Sequence, residues 1–208
     1  MHPRVYFQKT ETVKQIAFFD FDGTVTNKDT LLEFIKHQKG NLHFYLGFLL
    51  NSPFLIGYKS GLISNQWVKE RILTYFFGKK SVEQFQQQCN DFADKVIPSL
   101  VRVKAMKEIK KLQEAGVEVV IVSASAENWV RPWCEKEKLD CVATRLENEN
   151  GFITGKINGL NCYGEEKVRR VQEKYPLSEY ALIYGYGDTK GDKPLLGLAG
   201  ISFYKPFS

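Results

Sequence analysis

No two cysteines stand close enough to form a metal-binding pair: Cys89, Cys134, Cys141 and Cys162 make no C-x-x-C motif, and all three histidines, His2, His37 and His43, fall in the first quarter. Zinc is held by thiolates and imidazoles at short spacings, so a zinc centre is not expected. Nor is a secretory signal expected from the N-terminal stretch. The stretch MHPRVYFQKTETVKQ carries Arg4, Lys9, Glu11 and Lys14 and no continuous apolar core. Scattered cysteines without such a signal fit a reducing compartment, and a cytoplasmic location is expected. Long apolar runs are absent too: Leu42 to Tyr58 is the longest weakly charged stretch, and Asn51, Ser52 and Pro53 interrupt it. It falls short of the ~18 clean apolar residues that read as a spanning helix. Concentrated basic charge is the last absence. The net charge is +5, from 29 basic and 24 acidic residues spread along the chain. Nucleic acid is therefore not an expected partner, whereas a small anionic substrate or a membrane surface is compatible.

What remains is an ordinary globular composition, 43% hydrophobic and 25% charged over 208 residues, enough for one sizeable core and a smaller appended unit. Its most pointed stretch is IAFFDFDGT, where four apolar residues, Ile16 to Phe19, run directly into Asp20, Phe21, Asp22, Gly23 and Thr24. Two carboxylates at the end of a buried strand repel and lose solvation, so they need a cation or a chemical use. Along the chain, the pattern predicts a buried strand over Gln15 to Phe21 and helices from Asn27 to about Ile97. A helix follows from Pro98 to a Gly116 cap, in which Leu100, Val103, Met106, Ile109 and Leu112 recur every three residues. Next come a buried strand over Val117 to Ser125, a helix over about Ala126 to Lys138, and a short strand in CVATRLE. NENGFITGKING reads as a hairpin, Tyr163 to Tyr175 as a helix, and YALIYGYGD and GISFY as the last strands. This alternation predicts an α/β fold with a Rossmann-like parallel sheet. Three strands end in polar groups, at Asp20 and Asp22, at Ser123 and at Asp188, and in such sheets ligands bind beyond the carboxyl ends of the strands.

DFDGT, a strand ending VSAS, GEEKVRR and GDTKGD resemble, in order, the four signature motifs of the haloacid dehalogenase superfamily. Within it the chain is most similar to subfamily IB, which includes phosphoserine phosphatases and phosphatidylglycerophosphatase C. The resemblance implies a magnesium-dependent phosphatase that hydrolyses a phosphate monoester through an aspartyl-phosphate intermediate. Asp20 is then the nucleophile and Asp22 the general acid and base. In a fully extended strand these two carboxylates would share a face. Ser123, Lys167 and the backbone at Gly23 and Thr24 would bind phosphate. Mg2+ would be held by Asp20, the Asp22 backbone carbonyl and Asp188, with Asp192 as ligand or supporting group. Three departures point away from free phosphoserine as substrate. Ala124 and Ser125 follow Ser123 where phosphoserine phosphatases have two glycines, GDTKGD replaces GDGxND, and no counterpart of their cap glutamate and arginine is evident.

The resemblance also divides the chain into a catalytic core, residues 1–27 and 98–208, and a helical C1 cap, residues 28–97, inserted after the first strand. Phe44, Tyr45, Phe48, Phe54 and Tyr58 in the insertion read as the cap's own core or, alternatively, as a lipid-facing patch flanked by Lys36, Lys39 and Lys59. The second reading would suit a lipid-linked phosphate at a membrane surface. A phosphotransferase with an alcohol acceptor shares every one of these residues. A non-enzymatic receiver-like phospho-acceptor lacks both the long insertion and the Asp-x-Asp pair. Arg131, Arg169 and Arg170 read as solvated helix charges.

Overall fold

The computed structural model describes residues 13–208. Its elements are β1 (Gln15–Phe19), α1 (Thr30–Leu50), α2 (Ser52–Lys59), α3 (Asn65–Phe77), β2 (Lys80–Ser81), α4 (Val82–Lys95), α5 (Ile97–Leu100) and α6 (Val103–Glu114). They continue with β3 (Glu118–Ala126), α7 (Glu127–Lys136), β4 (Asp140–Thr144), β5 (Leu146–Glu149), β6 (Phe152–Ile157), α8 (Glu165–Lys174), β7 (Leu182–Gly187), α9 (Lys193–Gly197) and β8 (Ile201–Tyr204).

Five parallel strands form the main sheet in the order β4-β3-β1-β7-β8, with Phe19 paired to Ile121 on one side and Tyr186 on the other. β1 is central and buried on both faces, which is why its sequence is continuously apolar rather than alternating. Alternation survives in where the side chains go. Ile16 and Phe18 pack with Val120, Val122 and Val171 on one face, and Ala17 and Phe19 join the larger cluster containing Ile109, Trp129 and Trp133 on the other. Each such buried side chain contributes about 1.5–3 kcal/mol of transfer free energy, so β1 is fixed in place, and with it the two aspartates that follow. Chain order reverses between β1 and β7, the point at which a crevice opens in such sheets.

α1 through α4 form the helical insertion. Gly40, at φ 74° and ψ 165°, breaks α1 into two segments. A second, antiparallel sheet, β2-β6-β5, joins the insertion to the later hairpin, whose Asn150-Gly151 turn takes positive φ at both residues. No helix of the described residues is long and apolar enough to cross a membrane.

The structure corrects two expectations from the sequence. Pro98 to Gly116 is two helices, because Val101 is extended and bridges Thr26 while the Arg102 N–H bonds the Val25 carbonyl at 2.8 Å. The backbone returns here to brace the Asp20–Thr26 loop, at the expense of one helical turn. CVATRLE is likewise two strands: β4 belongs to the parallel sheet and β5 to the antiparallel one, with Arg145 between them.

Candidate active site

At the carboxyl end of β1, the Asp20 N–H still bonds the Tyr186 carbonyl at 2.9 Å, so the ladder holds Asp20 at its last rung. Its carboxylate is buried against Lys167, from the first turn of α8, whose Nζ donates to Asp20 Oδ1 at 2.5 Å and to Asp192 Oδ1 at 2.7 Å. Lys167 is only 1% exposed. Burial alone would pull its ammonium down, but the two carboxylates hold its pKa above the ordinary value. For Asp20 burial wins and pushes the carboxyl up to about 7, against the pull of Lys167. Asp192 is held below the usual range despite its own burial, because Lys167 and Thr189 favour its charge. Two acids and one base leave this cluster one positive charge short.

Asp20 Oδ2 is the buried side-chain atom with no hydrogen-bond partner among the described residues. An oxygen of Asp20, one of Asp188 and one of Asp192 all lie within 4.8 Å of one another. Three hard oxygen donors, with an orphaned carboxylate oxygen on Asp20, fit a magnesium ion. The donors are not equivalent. Both Asp192 oxygens are already engaged, Oδ1 by Lys167 and Oδ2 by the Thr189 N–H at 2.9 Å and hydroxyl at 2.7 Å.

Gly23 permits the approach of Asp188. It has φ 93°, and a Cβ there would collide with the Asp188 carboxylate. The Thr24 hydroxyl donates to Asp188 Oδ1 at 3.1 Å, so this side chain is spent on the acid. The loop itself closes tightly, with the Val25 and Thr26 N–H groups both bonded to the Phe21 carbonyl at 2.9 Å.

Asp22 is placed by this loop rather than by strand pleating, since β1 ends at Phe19. The Thr30 N–H donates to Asp22 Oδ1 at 2.6 Å, and Ser125 and Ser123 hydroxyls donate to Oδ2 at 2.6 Å and 3.3 Å. Behind them, the Thr30 hydroxyl lies 3.0 Å from the Ser125 hydroxyl and accepts from the Trp129 indole at 3.1 Å. Sequence reasoning noticed Ser125 only as a departure from glycine. Its hydroxyl makes the shortest side-chain contact to Asp22, across 103 residues.

Lys69 was missed altogether. From α3 its ammonium donates to the Ala124 carbonyl, beside Ser123, at 2.8 Å and to Asn161 Oδ1 at 3.1 Å. Burial lowers its pKa, against the pull of Asp22 and Asp29. Asn161 in turn donates to Asn65 Oδ1 at 2.7 Å, pinning α3 over the strand ends. Nothing local in WVKER singles Lys69 out from any helix-surface lysine. The three arginines are not free solvated charges: Arg131 pairs with Glu127, Arg169 with Glu166 and Glu173, and Arg170 with Glu166 and the Ala143 and Leu160 carbonyls.

The structure thus brings Asp20, Asp22, Gly23, Thr24, Ser123, Lys167, Asp188 and Asp192 to one end of the sheet. Comparison with known proteins gives the family. CicA of Caulobacter vibrioides is 33% identical over 194 residues, covering 92% of this chain and 86% of that protein. Histidinol-phosphatase of Neisseria meningitidis is 25% identical, covering 89% and 87%. Among solved structures, a Bordetella pertussis protein of unknown function superposes with a TM-score of 0.80 at 23% identity, covering 92% and 89%. A phospho-aspartyl intermediate analogue of phosphoserine phosphatase superposes at 0.65 and 20% identity, covering 91% and 85%. The family model for haloacid dehalogenase-like hydrolases matches residues 17–197, and to that family the chain belongs.

Proposed function

We propose that the protein is a magnesium-dependent phosphatase that hydrolyses a phosphate monoester through an aspartyl-phosphate on Asp20. The observation that carries this reading is the Asp20 carboxylate itself: buried, gripped on one oxygen by Lys167 and unpartnered on the other. A carboxylate oxygen of Asp20 attacks phosphorus while the ester P–O bond breaks and Asp22, protonated, gives its proton to the leaving oxygen. Water then attacks the same phosphorus, loses a proton to the Asp22 carboxylate and displaces Asp20, leaving alcohol and inorganic phosphate. Asp22 is oriented for both proton transfers by Thr30 and Ser125, leaving the Ser123 hydroxyl, whose 3.3 Å contact is the longest of the three, to turn to phosphate. Lys167 offsets the charge that gathers on Asp20 and phosphate, with Ser123 and the Gly23–Thr24 backbone completing the phosphate cradle.

Asp20 and Asp188 would hold magnesium, together with the Asp22 backbone carbonyl, while the doubly engaged Asp192 positions Lys167 and Thr189. The ion supplies positive charge against the phosphoryl oxygens and so completes the charge balance of the acid cluster. The insertion of residues 28–97 acts as the cap over a core of residues 1–27 and 98–208, delivering Lys69 and excluding water. The four cysteines, all free and buried, suit a reducing, cytoplasmic setting.

A lipid-linked phosphate monoester is the second reading of the substrate, favoured by the apolar outer surface of α1, which would bring the cap to a membrane surface. The first test is release of phosphate from p-nitrophenyl phosphate with magnesium. Turnover that stops with a chelator and returns with magnesium is expected, with a phosphorylated enzyme trapped by acid quench. Undiminished turnover in Asp20→Asn would overturn the assignment.

A further inference from the structure

We infer that the outward face of the second half of α1 is a docking surface for an anionic lipid bilayer. Beyond Gly40, Leu42, Tyr45, Leu46, Leu49 and Leu50 recur at i, i+3, i+4, i+7 and i+8, which places them on one helical face. All five are exposed, from 48% at Leu46 to 70% at Leu42. The opposite face is also apolar and is already used: Phe44 and Gly47 are buried, and the Phe44 and Phe48 rings lie 4.6 Å apart. A helix apolar all round belongs in an interior, yet half of this one meets no part of the described chain. The five candidate aromatics therefore divide, with Phe44, Phe48 and Phe54 packed against the core cluster and Tyr45 and Tyr58 outward.

Charge selects the occupant. No aspartate or glutamate occurs between Glu33 and Glu70; of the lysines there, Lys36 is paired with Glu33 and Lys69 turns into the crevice, whereas Lys39 and Lys59 make no ion pair among the described residues. Elsewhere acids and bases are interleaved. A second copy docking face to face would set the unpaired Lys39 and Lys59 of one against those of the other, which disfavours self-association. An anionic bilayer satisfies both properties: leucines enter the acyl boundary, lysines meet headgroup phosphates, and tyrosines span the polar layer. The segment is about ten residues, ~15 Å, too short to cross. It lies in the plane of the interface.

The docking is independent of the catalytic reading, because it is measured without turnover. Wild-type protein should sediment with vesicles of phosphatidylcholine and phosphatidylglycerol and not with phosphatidylcholine alone, and salt should weaken the association. The double variant Leu46→Ser, Leu49→Ser should bind at least about tenfold more weakly. Its turnover of p-nitrophenyl phosphate and its melting temperature should be unchanged. A label placed by Leu49→Cys reads the same contact without that variant, since all four native cysteines are buried. Its emission should shift to the blue with anionic vesicles, while a label at exposed Glu114→Cys should not respond. No wild-type association with anionic vesicles, or equal association of the double variant, would overturn the proposal. A dimer in solution that the double variant abolishes, without vesicle binding, would assign the face to a second copy instead.

Discussion

Two regions of the molecule break the inside-outside rule in opposite directions. At the strand ends, Asp20, Lys167 and Asp192 are taken out of water, and nearly every polar atom is answered by a partner. On α1, five apolar side chains are largely exposed among the described residues. Buried charge tolerates no vacancy, because each unpaired group carries its full desolvation cost, so that region is rigid and tightly specified. Exposed apolar surface costs the fold nothing further, and its free energy is left for a contact outside the chain. Both are proposed as functional, but only the first is woven into the core.

The largest effect is expected at the nucleophile. Asp20→Asn should lower kcat on p-nitrophenyl phosphate by on the order of 10⁴-fold while leaving the far-ultraviolet circular dichroism intact. A smaller loss would mean that Lys167 and the bound metal carry more of the catalysis than the carboxylate. Lys167→Met comes next. It leaves two buried carboxylates without their cation, so denaturant unfolding should show a loss of about 3–5 kcal/mol, with activity abolished. An unchanged midpoint would remove the contrast between the two regions.

Ser125→Ala deletes the short hydrogen bond to Asp22 and should cost roughly tenfold in kcat, with little change in KM. Its diagnostic is a displaced limb of the pH-rate profile, which a merely structural role would not produce. Glu166 tests the charged surroundings of α8. Arg169 and then Arg170 hold its carboxyl down at about 2, so its stabilising contribution is complete above the ordinary value near 4.5 and disappears as the pH falls toward 2. Glu166→Gln should flatten the acid limb of the stability profile in that window by about 1 kcal/mol, since Arg169 is 54% exposed and screened. The smallest effect belongs to α1: serine at Leu46 and Leu49 should leave denaturant stability within about 0.5 kcal/mol of wild type.

Legibility in the sequence followed the range of the forces involved. β1 could be read because a strand buried on both faces writes itself as a continuous apolar run, and the motifs at Asp20, Ser123, Lys167 and Asp188 each lie at an element's edge. Gly23 could be read as part of a motif, yet its reason, the Asp188 carboxylate packed against it, is 165 residues away. Lys69, Ser125 and Asn161 act through partners 17 to 103 residues distant, and their local sequence is unremarkable. The break at Val101 escaped because the helical period continues through it. What interrupts that helix is tertiary, a bridge to Thr26. β2 escaped because two residues, Lys80 and Ser81, have no period at all.

That two-residue strand ties the insertion to the rest of the chain. The Lys79 N–H bonds the Ile153 carbonyl at 2.8 Å and the Val82 N–H the Gly151 carbonyl at 2.9 Å, so the insertion is clasped to the β5–β6 hairpin. α3 adds a bond from the Thr74 hydroxyl to the Thr154 carbonyl at 3.1 Å. A leaf tethered only at its two covalent crossings could swing alone; this one carries the hairpin along. Any swing of the insertion would then also have to bend the chain on both sides of the hairpin, at Thr144–Leu146 and beyond Ile157.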